Sequence, residues 1–109
     1  MEQELLRMII QSGKATGLLL EILEQSLQSN DTELLDSKLQ EVAKLNQEAY
    51  AIQTSLITQA DPTQVSLLAV HSQDHLMNSY LLEQLTHFLM KQSQEIHALK
   101  QRVQQLESR

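Results

Sequence analysis

Apolar residues return along this chain in steps of three and four, the spacing of one helix face, in three successive blocks. In the first, Leu6, Ile9, Ile10, Gly13, Gly17, Leu20, Leu23 and Leu27 form a stripe that predicts a helix over about residues 2–28. Gly13 and Gly17 stand about one turn apart inside it. Two interior glycines cost a helix roughly 1 kcal/mol each relative to alanine, so a close helix crossing or a site needing backbone access is expected there. The stretch "SNDTELL" interrupts the pattern. Asn30 or Asp31 suits the cap of a second helix, with Glu33 placed three residues after Asn30 as in a capping box. That helix is expected over about 31–59, with the stripe Leu35, Leu39, Val42, Leu45, Ala49, Ile52 and Leu56. "QADPTQ" ends it, because Pro62 disfavours helical backbone at Asp61 yet suits a first helical turn; Asp61 is then the expected N-cap of helix three.

The third block is the longest, about 62–105. Leu82, Leu85, Leu89, Gln92, Ile96, Leu99, Val103 and Leu106 alternate three- and four-residue steps, the mark of a coiled-coil seam, and the strip extends back through Asn78, His75 and His71. A helix of about 40 residues is ~60 Å long, against ~40 Å for each of the others. Its far end, "EIHALKQRVQQLESR", must find another subunit for its seam unless it folds back. The predicted fold is therefore all-α. It is one domain over 1–109, an antiparallel three-helix bundle with a long third helix and a helical extension from about residue 92, which self-associates.

Composition agrees with helices. Two glycines, one proline and three aromatic residues in 109 are too few for strands joined by regular turns. A formal net charge of −6 disfavours nucleic acid as a partner, since phosphate binding needs clustered Lys and Arg. With no cysteine there is no disulfide, thiolate metal site or cysteine nucleophile. The acidic start "MEQELLRMII" is unlike a signal peptide and no apolar run approaches the ~18 residues of a membrane span, so a cytoplasmic protein is expected.

Against that background "VHSQDHLM" stands out. His71, Asp74 and His75 fall at i, i+3 and i+4 and share a helix face, flanked by Leu67, Leu68, Val70, Leu76 and Met77. Three chemistries fit two histidines and an acid. A zinc site is one, but the glutamate that follows the first histidine in metalloprotease motifs is missing and no third ligand stands out. General acid–base catalysis is another, and it needs a substrate pocket that the sequence does not announce. The third is covalent: a neutral imidazole takes up a phosphoryl group and holds it as phosphohistidine. Such a carrier needs an accessible histidine on a rigid helix and a surface for partner proteins. Satisfied interface polarity is the simpler alternative, in a purely structural trimeric coiled coil or adaptor.

"SLLAVHSQDHLMNSYLLEQL", preceded by "SGKATGLLLEIL" and "EAYAIQTSLI", resembles the enzyme IIA component of the lactose/cellobiose branch of the bacterial sugar phosphotransferase system, over about residues 5–90. The resemblance implies a homotrimer of three-helix bundles, with His71 accepting a phosphoryl group on Nε2 from the phosphocarrier HPr. His71 would pass it to a cysteine of the cognate IIB component, which phosphorylates the sugar entering through the membrane component IIC. It further implies that Asp74 gathers near the threefold axis and binds a divalent cation such as Mg²⁺, which three converging carboxylates would need to offset their repulsion. Gln73 and His75 match the motif as well, and supporting roles follow for both, orienting His71 or contacting the phosphoryl group. Tyr50 departs from the family, which often has histidine there. His87 reads as a surface or interface residue, and His97 as part of a lengthened stalk. Which disaccharide is carried is not written in this chain.

Overall fold

In the computed structural model the described residues are 2–28, 32–59 and 66–109. They form three helices: α1 (Glu2–Gln28), α2 (Thr32–Gln59) and α3 (Leu67–Glu107). Leu5 and Met8, early in α1, pack with Ala49, late in α2, and Leu76, early in α3. Ala15, Leu19 and Ile22 pack with Leu35, Leu39 and Val42 of α2 and with Met90 of α3. The helices therefore run up, down and up, and the predicted antiparallel bundle is the one observed. The molecule measures 70 × 20 × 18 Å, its length set by the 41 residues of α3.

Two expectations about local structure are corrected. Helix three does not begin near Pro62: Ser66 has extended backbone (φ −102°, ψ 158°) and caps α3, its Oγ accepting from Ala69 N at 3.0 Å. The candidate caps Asn30, Asp31 and Asp61 lie outside the described residues. The buried face of α1 is also not the stripe through the glycines. Leu5, Met8, Ser12, Ala15, Leu19 and Ile22 face the core, while Leu6, Ile10, Gly13, Gly17, Leu20 and Leu27 are exposed. Both stripes are helical in period, but the one chosen by packing is the one that also accepts small Ser12 and Ala15 against neighbouring helices. A Cβ built at Gly13 or Gly17 would meet nothing within 4 Å, so no close crossing occurs there within the chain.

α2 buries Leu35, Leu39, Val42 and Ala49 as expected, but also Asn46 and Gln53. α3 goes further, turning Ser72, Leu76, Ser79, Glu83, Thr86 and Met90 inward. Between the two apolar clusters Ser79 Oγ donates to Asn46 Oδ1 (2.9 Å), and Asn46 Nδ2 donates to Glu83 Oε2 (2.8 Å). This chain of bonds satisfies the polar groups that α3 carries into the bundle. α1 packs broadly on both other helices, whereas α2 and α3 meet much less. They leave a groove of about 600 Å³, walled by Tyr50, Met77 and Tyr80, with Asn46 and Glu83 along it.

With polar residues inside, the apolar residues of α3 lie outside. Val70, Met77, Leu81, Leu85, Phe88, Ile96, Leu99, Val103 and Leu106 are all exposed. Together with Asp74 and Gln92 they make one strip along the whole helix in steps of three and four, averaging about 3.6 residues. A soluble helix that hides its polar side and shows its apolar side has an unmet partner on that side. Among the described residues no helix is long and apolar enough to cross a membrane.

Candidate functional site

The motif "VHSQDHLM" occupies the first turns of α3, at the end of the bundle where α1 begins and α2 finishes. Two inward residues fix this segment: Leu76, 1% exposed, sits in the cluster with Leu5, Met8 and Ala49, and Ser72 is buried, its hydroxyl donating to Ala69 O at 2.9 Å. Leu68 and Ala69 pack on the same cluster. One residue before each anchor stand His71 and His75, so the same i, i+4 relation holds both rings side by side.

His71 is exposed and His75 half-buried. Their Nε2 atoms are 3.2 Å apart, and the rings meet edge to face with centroids at 4.6 Å and an interplanar angle of 86°. One imidazole must donate and the other accept across that contact. When His75 is the donor, His71 carries its proton on Nδ1 and its Nε2 lone pair is the nucleophilic one. The contact therefore selects the tautomer that attack through Nε2 requires.

Asp74 is exposed on the outer strip of α3 and shares a shallow depression of about 470 Å³ with Leu67, Leu68, Val70 and His71. From residue 66 to residue 82 Asp74 is the sole formal charge, so the surface around His71 is mostly apolar. One chain offers one carboxylate there, and among the described residues no three His, Cys, Asp or Glu side chains come together as a metal site. A single chain thus does not by itself hold a divalent cation. Gln73 is exposed next to the pair, with no hydrogen bond to either ring.

The remaining singled-out residues are not brought to the pair. Tyr50 opens into the α2–α3 groove beside Met77 and Tyr80, a concavity separate from the one His71 lines. His87 and His97 are exposed farther along α3, about 24 and 39 Å from His71 by helical rise. What the sequence left unread is the anchoring: Ser72 and Leu76, each one step after a motif histidine, decide which way the imidazoles point. Their signal was the inner spacing 72, 76, 79, 83, 86, 90, concealed because four of those six residues are polar.

Fold and site together define an all-α bundle protein with one accessible histidine pair beside an open, largely apolar surface. Residues 3–94 match the model of the phosphotransferase system lactose/cellobiose-specific IIA subunit family, and the chain belongs to that family. It is 33% identical over 95 residues to the cellobiose-specific EIIA component of Lactococcus lactis subsp. lactis, covering 84% of this chain and 81% of that protein. It is 33% identical over 88 residues to the lichenan-specific phosphotransferase enzyme IIA component of Bacillus subtilis, covering 78% and 79%. Identity to the N,N'-diacetylchitobiose-specific EIIA component of Escherichia coli K12 is 34% over 101 residues, covering 90% and 86%.

Proposed function

We propose that this chain is a cytoplasmic phosphocarrier whose His71 takes a phosphoryl group from phospho-HPr and delivers it to a cysteine of a cognate IIB component, for uptake of a disaccharide of the lactose, cellobiose or chitobiose class through IIC. The observation that carries the reading is the His71–His75 contact, Nε2 to Nε2 at 3.2 Å, on an exposed and rigidly anchored helical turn. Family membership supplies the class of protein.

In the forward step the Nε2 lone pair of His71 forms a bond to phosphorus while the bond from phosphorus to the donor's nitrogen breaks, its electron pair returning to the donor imidazole. His75 Nε2–H, released from His71, is within reach of a phosphoryl oxygen, where a donor stabilises the added negative charge. In the second step a thiolate sulfur of IIB attacks and the P–N bond to His71 breaks. The apolar rim of Leu67, Leu68 and Val70 gives partners a surface without like charge beside the phosphate.

The outer strip of α3 supports a homotrimer, since only further copies of the chain supply a matching apolar face along its whole length. Asp74 lies in that strip, in line with Leu81 and Phe88 two and four turns on. Copies meeting there bring their Asp74 carboxylates together, and Mg²⁺ or a similar hard cation offsets the repulsion.

Incubation with phosphoenolpyruvate, enzyme I and HPr tests the carrier reading. An acid-labile, base-stable phosphoryl adduct is expected, lost in His71→Ala. Absence of the adduct, or its persistence in that variant, overturns the reading.

A further inference from the structure

α3 leaves the bundle at one identifiable residue. Ser93 Oγ donates to Ser26 O at 3.3 Å, near the end of α1, and from Gln94 onward every residue is exposed. The family match stops at the same place, at residue 94. Yet the helix runs on to Glu107 with Ile96, Leu99, Val103 and Leu106 each half or more exposed along one side. These are successive a, d, a and d positions of a heptad.

That register fixes the flanking positions. Glu95 and Arg102 fall at g, and Lys100 and Glu107 at e. None of Lys100, Arg102 and Glu107 has an opposite charge three or four residues away on its own helix, and among the described residues none makes an ion pair. Across a parallel, in-register pair of helices, however, each g residue faces the e residue five positions on in the neighbour. Glu95 then meets Lys100 of the next chain and Arg102 meets Glu107, so both pairs are of opposite sign. In the antiparallel arrangement that opposes Ile96 to Leu106, Lys100 meets Lys100 and Arg102 meets Arg102.

We propose that residues 95–109 form a parallel, in-register coiled-coil stalk between copies of this chain, its direction set by Glu95–Lys100 and Arg102–Glu107 pairs between neighbours. The occupant of the exposed seam is thus the same segment of another copy. The stalk rests on the self-association proposed above and adds to it a direction and a register. β-Branched residues at a with leucine at d favour two strands in isolated parallel coils. Here the helix is continuous with the outer strip of the bundle, so the stalk takes as many strands as the bundle has copies. Held parallel at one end, the copies keep their His71 and Asp74 residues at a common level.

The absence of cysteine makes the test direct, because any thiol is the one introduced. Full-length Leu99→Cys, treated with a short thiol-to-thiol crosslinker, is expected to link 99 to 99 at least tenfold faster than Gln101→Cys, whose position points away from the seam. Equal rates overturn the stalk, and preferential linking of Leu99→Cys to Val103→Cys in a mixture shows an antiparallel pair and overturns it too. In a second arm, Glu95→Lys with Arg102→Glu lowers the 99-to-99 rate by tenfold or more, and adding Lys100→Glu with Glu107→Lys restores it. No loss, or no restoration, removes the ion pairs from the proposal. Native mass spectrometry of the same samples reads the number of copies, and the His71 adduct is measured in parallel. Loss of the adduct with intact crosslinks refutes the carrier alone, and a normal assembly without crosslinks refutes the stalk alone.

Discussion

His71 and His75 face each other through their Nε2 atoms at 3.2 Å, with His71 exposed and His75 half-buried. The acceptor of that contact is the ring whose Nε2 is free to attack, so the half-buried ring sets the chemistry of the exposed one. His75→Ala is expected to lower the rate of phosphorylation at His71 roughly ten- to hundredfold, the equivalent of a hydrogen bond of about 1.5–3 kcal/mol to a charged group. His75→Gln, which keeps an N–H donor, should recover part of the loss. Stopped-flow or quench-flow transfer from phospho-HPr measures both, and an unchanged rate in His75→Ala would show that the contact plays no part.

Asp74 is the one charge in the outer strip of α3. Three carboxylates converging there repel one another unless a cation intervenes. Chelation is expected to loosen the assembly of the parent chain and to leave Asp74→Asn unaffected, as read by sedimentation with and without EDTA. Equal response of the two proteins would remove Asp74 from any cation site.

Gly13 and Gly17 are exposed, with open space where a Cβ would sit. Replacing each with alanine should raise stability by about 0.5–1 kcal/mol through helix propensity alone. A drop in stability, or a slower phosphoryl exchange with unchanged folding, would reveal that another copy or a partner lies against that side of α1. Denaturant melts and transfer rates on the same variants separate the two.

The Ser79–Asn46–Glu83 chain of hydrogen bonds is the polar centre of the bundle. Asn46→Leu leaves the Glu83 carboxylate without its amide donor and the Ser79 hydroxyl without its acceptor. We expect it to destabilise by about 1–3 kcal/mol. Adding Glu83→Met removes the stranded charge and should return much of that loss, since an apolar replacement of a whole buried network is often tolerated. Additive single and double effects in a urea double-mutant cycle would show the bonds to be energetically independent.

The sequence by itself determined the number of helices, the all-α class and the chemical identity of the site, because helical period and the spacing of His71, Asp74 and His75 are one-dimensional facts. It also picked out the α3 seam from Leu85 to Leu106 as a face without a partner in its own chain. It did not determine which side of α1 is buried, since Leu6, Ile10 and Leu20 repeat as well as Leu5, Met8 and Leu19 do. Nor did it show that α3 turns Ser72, Ser79, Glu83 and Thr86 inward, because a rule that buries apolar residues reads the two faces of that helix the wrong way round. Only the tertiary structure decided these. A polar face is stable inside when Asn46 stands opposite to pair with it, and that pairing joins residues more than thirty positions apart. The apolar face is then left for association, and the inward pull of Ser72 and Leu76 is what sets His71 and His75 side by side at the surface.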